Sequence, residues 1–262
     1  MKLFNKRAQM CGVIAGFALI SAGVNADVIS AEANGYGLAA DISLLLADVT
    51  VAPQGHASGT APGVFDGSNS VLDFSAFALG LASINATVIE GSASSDVDGF
   101  AGIRTTDSMG RVDGLGASVL LSSVLGLDAS MIQSNASITG DYGSLNMYGS
   151  SNLADVTLSI LGATLDVDAN AAANTVLFDS LGIRVVLNEQ IFGGDGIETA
   201  QLEVNAIHIS FNDVAAGLGL LNGDIRIGHS FASMTATIPS PGVLACVPAG
   251  ALLSVRRRRR TL

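Results

Sequence analysis

The sequence predicts an all-β fold, an antiparallel sandwich or barrel-like domain, and three observations lead there. Short runs rich in Val, Ile, Leu, Thr and Ser alternate apolar and polar residues, the period of a half-buried strand. Turn-forming pairs punctuate those runs at roughly even spacing, as antiparallel neighbours require. The chain has 10 Phe, 3 Tyr and no Trp, so aliphatic side chains must supply most of the buried area.

Taken in order, residues 38–51 carry apolar side chains at both parities and read as a buried strand with a bulge. Residues 54–69 are rich in Gly, Pro and Ser and read as a loop. Leu72, Phe74, Ala76 and Ala78 share one face of a strand, and Ile84, Ala86 and Val88 share one face of the next. Residues 92–113, with their Asp and Gly, look loop-like. Val156, Leu158 and Ile160 form another face, after which Leu161, Ala163, Leu165 and Val167 take the opposite parity. That switch lies beside Gly162 and predicts a bulge. Ile183, Val185 and Leu187 continue the pattern, as do Ile225, Ile227 and Phe231. Residues 214–221 fit either a short helical turn or a loop over one end. Turn signals stand at Asp66-Gly67, Asp113-Gly114, residues 193–196 (GGDG) and Asn222-Gly223. LSSVLGLDA at 121–129 echoes LSILGATLD at 158–166, as two paired strands would, with no fixed period of a solenoid.

The two ends differ from the middle. Lys2, Lys6 and Arg7 precede an uncharged apolar stretch over residues 11–24, and Val24-Asn25-Ala26 is a small-residue cleavage site. Residues 1–26 therefore read as a secretory signal peptide cut after Ala26, with the export translocase as partner. Residues 27–237 are the predicted extracellular domain. They keep only Arg104, Arg111, Arg184 and Arg226 against all 23 acidic residues, a net charge of −19. Such a body repels nucleic acid and anionic membranes. Both cysteines, Cys11 and Cys246, lie in the ends, so the middle must be stabilised by a core and not by disulfides.

Residues 238–262 hold Pro239 and Pro241, an apolar stretch, and Arg256, Arg257, Arg258, Arg259 and Arg260. As a helix, residues 242–255 would reach roughly 21 Å, and residues 238–255 roughly 27 Å, against a hydrocarbon core of about 30 Å. The arginines would stop transfer and stay cytoplasmic. This order of parts resembles the PEP-CTERM sorting tail, with Ser240 where that family has Glu. The resemblance implies a short transmembrane sorting helix and a transient stay in the inner membrane. It also implies processing near residues 239–241 by an exosortase-like enzyme, then transfer to the cell surface or extracellular matrix.

Chemistry-bearing residues are sparse in the middle. His56 falls in a loop, His208 on the less apolar face of its run, and His229 at the parity of Ile227 and Phe231, hence inward. No pair has the helical spacing of a zinc site. Asn188, Glu189 and Gln190 read as a polar strand end whose side chains bond turn backbone, and a lone Glu makes no glycosidase. Asp96, Asp98, Asp166 and Asp168 place alternate carboxylates on one side of the chain and are candidate Ca²⁺ ligands, without the full EF-hand spacing. No G-x-S-x-G, P-loop or dinucleotide fingerprint occurs, and no catalytic residue or other cofactor is assigned. Asn85-Ala86-Thr87 and Asn135-Ala136-Ser137 fit the glycosylation sequon.

Four stretches carry a second resemblance: YGLAADISLL at 36–45, LNEQ at 187–190, VNAIHI at 204–209 and GDIRIGHSFASM at 223–234. They resemble the choice-of-anchor P family of bacterial surface proteins, whose members share an ectodomain and differ in their sorting tails. The likeness implies an exported, surface-attached protein and supplies no catalytic residues. The expectation is a secreted structural or adhesive protein that is not an enzyme, with extracellular polysaccharide as a candidate partner. The alternative is a non-catalytic binding module for carbohydrate, ice or Ca²⁺.

Overall fold

The computed structural model describes residues 27–44, 47–78, 82–100, 102–119, 124–215 and 219–237. The signal peptide with Ala26, and the sorting tail with its helix, lie outside the described residues. Within them the fold is all-β, with fourteen antiparallel strands in two sheets facing one another. Sheet A is built from β1 (Asp27–Leu44), β2 (Ala47–Gln54), β3 (Ala57–Ala61), β11 (Thr175–Ser180), β12 (Ile183–Gly194), β13 (Thr199–Ala215) and β14 (Leu220–Thr237), ordered β11-β12-β13-β14-β1-β2 with β3 also on β1. Sheet B holds β4 (Phe65–Ala78), β5 (Ala82–Ser95), β6 (Arg104–Val119), β7 (Leu125–Asp141), β8 (Ser144–Ala154), β9 (Thr157–Ile160) and β10 (Ala163–Leu165), ordered β10-β9-β7-β6-β5-β4 with β8 also on β7. Two separate sheets make this a sandwich and not a closed barrel.

The sheets enclose two apolar lobes. The larger gathers Leu38, Ile84, Leu127, Leu158, Ile183, Ile207 and Ile225 from both sheets. The smaller gathers Val28, Ala136, Ile138, Leu202, Val204 and Met234. Between them the backbones of the sheets touch. A Cβ on Gly110 would strike the carbonyls of Tyr36 and His229, and one on Gly35 would strike those of Met109 and Ser92. Only glycine permits that approach, and it leaves a waist with few inward side chains.

Each long strand changes its inward parity close to this waist. In β6 the buried set runs Ser108, Gly110, Val112, then Leu115, Ala117, Val119, and Gly114 between them has φ +60. In β14 the buried Ile225 and Ile227 give way to Ser230, Ala232 and Met234 after Gly228, φ +61. The ladders keep their register across these residues, so the inward parity changes together in neighbouring strands, through a positive-φ kink and not through an extra residue in one strand.

These kinks explain where alternation misleads. Asp73, φ 51, separates Leu72 from Phe74, so Leu72 faces solvent at 67% exposure while Phe74 packs on the larger lobe. The skip at Thr87 buries Ile89 fully and leaves Val88 only half-buried. Phe231 and His229 lose the parity of Ile227 at Gly228. The switch at Gly162 is a two-residue hairpin turn between β9 and β10, with Leu161 at φ 51 and Gly162 at φ 79, and not a bulge.

Loops were over-predicted for the same physical reason: small residues here permit close packing. Residues 54–69 contain β3, whose Ala57 and Ala61 are buried against β1, and the start of β4. Residues 92–113 belong mostly to β5 and β6, with only residues 96–103 connecting them. Residues 38–51 are two strands, β1 and β2, with a register shift between Leu38 and Ala40. Residues 214–221 carry the ends of β13 and β14. Among the turn signals, 193–196 connects β12 to β13, and Asp195 Oδ1 accepts the backbone N–H groups of Ile197, Glu198 and Thr199 there. Asp66-Gly67, Asp113-Gly114 and Asn222-Gly223 lie inside strands. The echoing stretches do pair: Leu125 and Leu127 of β7 face Ile160 and Leu158 of β9.

Candidate functional site

Strand register brings the four motif stretches into one row on the outer face of sheet A. Glu189 of β12 is opposite Asn205 of β13, Asn205 is opposite His229 of β14, and His229 is opposite Tyr36 of β1. Each stretch contributes one member. Asn205 Nδ2 donates to Glu189 Oε2 at 2.8 Å and to Glu203 Oε1 at 3.1 Å. His229 Nδ1 donates to Asn205 Oδ1 at 2.8 Å. The Tyr36 and His229 rings stack at 4.3 Å with planes 16° apart.

Charged neighbours flank the row. His208, opposite Arg226 in the register, donates from Nδ1 to Glu189 Oε2 at 2.8 Å. Arg226 pairs with Asp224 at 3.3 Å and hydrogen-bonds the Tyr36 hydroxyl. The hydrogen bond from His208, with that from Asn205, holds the Glu189 carboxyl below the usual carboxylate range against the opposing effect of its burial. Burial lowers the His229 imidazole to about 4, and the charges of Arg226 and His56 act in the same direction. Burial also raises the Tyr36 phenol. The row thus holds an ionised carboxylate, an amide, a neutral imidazole and a neutral phenol, and each makes a polar contact with a neighbour in the cluster.

Part of this was legible. His208 sits on the less apolar face, as its parity predicts, and is half-buried. His229 is the correction: Gly228 turns it to the outer face, where it is nonetheless buried beneath Tyr36 and its neighbours. His56 is exposed between β2 and β3, near enough for its charge to act on His229. Glu189 and its neighbours are not a strand end but the middle of β12. Asn188 and Gln190 do bond backbone, at Ala171 O and Gly149 O, while Glu189 bonds the side chains of Asn205 and His208. The motif residues Tyr36, Asn205, Asp224 and Arg226 were not singled out by sequence, although all stand within the quoted stretches. Only register shows that they meet.

The candidate calcium ligands fall in two loops. Asp96 Oδ1 accepts the Thr105 N–H at 2.6 Å, and Asp98 Oδ1 accepts the Phe100 N–H at 3.0 Å and pairs with Arg104 at 2.5 Å. Asp168 Oδ1 accepts the Asn170 N–H at 2.9 Å, and Asp166 is exposed after β10. Asp96, Asp98 and Asp168 each direct one carboxylate oxygen at a backbone N–H, that of β6 for Asp96 and of the surrounding loop for the other two. Among the described residues no group of three or more His, Cys, Asp or Glu gathers as a metal site. The sorting residues Pro239, Pro241 and Arg256 to Arg260 lie outside the described residues.

No protein-family model matches the chain, and no curated protein matches it. A search of solved structures finds similarity to Ail, the attachment invasion locus protein of Yersinia pestis, at 6% identity. It covers 80% of this chain and 99% of that one, with a TM-score of 0.16, a level that carries no argument about fold or function.

Proposed function

We propose that this chain is an exported protein that serves at the cell surface or in the extracellular matrix as a structural or adhesive element, without catalysis. The observation that carries the reading is the polarity of the sequence: basic, apolar ends flank a cysteine-free middle of net charge −19. The likeness to choice-of-anchor surface proteins supports the same role, and its four motif stretches meet in a cluster whose polar groups are directed at one another. A row spent on its own strands favours a rigid scaffold over a reaction centre.

Intact-mass analysis of surface and extracellular-polymer fractions tests this. The expected species runs from Asp27 to about Pro239 and co-purifies with the polymer. A surface species that keeps Arg256 to Arg260 overturns the sorting reading. A rise in thermal midpoint on adding Ca²⁺ would move the role to a calcium-binding module, because a ligand of the native state stabilises it.

A further inference from the structure

The sandwich treats its open edges unequally. In sheet A the β2 and β3 edge is short, 8 and 5 residues, and is broken at residues 55–56, while β11 has 6 residues. In sheet B, β10 has 3 residues. The free side of β8 is covered: Gly149 O accepts from Gln190 Nε2, Leu145 N–H donates to Gly196 O, and Gly143 N–H donates to Ile197 O just before the strand. Shortness, interruption and cover are the usual ways to stop an edge from recruiting another strand. β4 has none of the three over its first half. It has 14 residues, pairs with β5 alone among the described residues, and carries no Lys, Arg or Pro. Residues 66–70 are exposed one after another, with Asn69 Nδ2 donating to His56 O at 3.2 Å on one face.

We propose that this edge is an interface with a second copy of the chain, formed by antiparallel pairing of residues 64–72 with themselves about Ser68. The stretch VFDGSNSVL is chemically self-complementary around that point. Two-fold pairing sets Ser68 against Ser68, Gly67 against Asn69, Asp66 against Ser70, Phe65 against Val71, and Val64 against Leu72. The Asp66 carboxylate meets a hydroxyl and never another carboxylate. Val64 and Leu72, exposed at 71% and 67%, cover each other at both ends of the paired stretch. The positive-φ kink at Asp73 closes the regular run immediately afterwards. An isologous contact requires a patch complementary to itself, and this one satisfies the requirement in backbone, charge and apolar contact together. Lone strand addition to an unrelated segment would not need the near-palindrome. Repulsion between two acidic bodies opposes pairing and is screened at physiological ionic strength.

The test uses the full chain in mild detergent with Cys11→Ser and Cys246→Ser, so that one introduced thiol reports. Directly opposed residues in an antiparallel pair have Cα atoms about 4.5–5.5 Å apart, within disulfide reach. On mild oxidation, Ser68→Cys is expected to convert most of the chain to a covalent dimer. Ser75→Cys, exposed on the same strand but beyond the kink at Asp73, is expected to form no covalent dimer. Sedimentation velocity should show a dimer for the unaltered chain and a monomer for Ser68→Lys, which opposes two ammonium groups across the axis with β-sheet circular dichroism unchanged. Equal crosslinking at both positions, assemblies larger than a dimer, or a dimer that survives Ser68→Lys would each overturn the proposal.

Discussion

In the larger lobe, Leu38, Leu127, Leu158, Ile183 and Ile207 meet between the sheets with essentially no exposure, and burial of their side chains holds the strands together. A few residues along, at the waist, Gly35, Gly37 and Gly110 leave the sheets in backbone contact, with few side chains to bury. There the outer face of sheet A carries the row from Glu189 through Asn205 and His229 to Tyr36. The lobe is fastened from inside by apolar area. The waist is fastened from outside by hydrogen bonds and one ring stack. A lobe loses stability when atoms are removed, whereas the waist should lose it when atoms are added inside or a hydrogen bond is removed outside.

The largest expected effect tests the inside of the waist. Gly110→Val places carbon where the carbonyls of Tyr36 and His229 stand, and backbone cannot yield as a side-chain tip can. A loss of about 4 kcal/mol or more is expected, enough to leave little folded protein. Leu127→Ala in the lobe is the reference, with the loss of about 3 kcal/mol usual for a buried leucine. Urea unfolding of both variants compares them. If Gly110→Val proves the milder change, the sheets are not in rigid contact at that point.

The same contrast explains how much could be read from sequence. The lobes are visible as alternation, since Ile84, Leu158, Ile160, Ile183 and Leu187 follow the period of 2 and are buried. The waist is not visible, because its signal is glycine and serine, which local reasoning assigns to loops. A positive-φ kink at Asp73 or Gly228 turns the strand's faces over without changing register, and every parity inference beyond it inverts. His229 stands on the face opposite to the one its parity predicts for that reason alone. The candidate row was half legible: its members stand in recognisable stretches, yet those stretches are far apart in the chain. Only pairing between β12, β13, β14 and β1 sets them side by side.

A second effect separates the waist from the lobes by pH. His229 is neutral in the folded protein down to about 4, whereas an unfolded histidine takes up a proton near 6.5. Between those values the unfolded chain binds more protons, so stability is complete above about 6.5 and falls as the pH drops toward 4. The shift corresponds to about 3 kcal/mol across the window. Glu189, whose folded value is lowered, adds a further loss only below the ordinary carboxylate range, as pH falls through its folded value. Urea midpoints measured from neutral pH down to pH 5 should therefore slope in the native chain and flatten in His229→Gln. An unchanged slope in that variant would assign the acid sensitivity elsewhere.

The smallest of the three effects concerns Asn205, which links the two ends of the row. It is 1% exposed, accepts from His229 and donates to both Glu189 and Glu203. Asn205→Ala leaves the buried His229 N–H without its acceptor and Glu189 with one donor fewer. A loss of about 2 kcal/mol is expected, in the range for stranding a buried polar group. Nothing apolar is removed from either lobe, so a loss of that size can come only from the outer face. Double-mutant cycles with His229→Gln should show the two changes to be non-additive, because both break the same link. A loss under about 0.5 kcal/mol, typical of a surface substitution, would mean that the row decorates the waist and does not hold it.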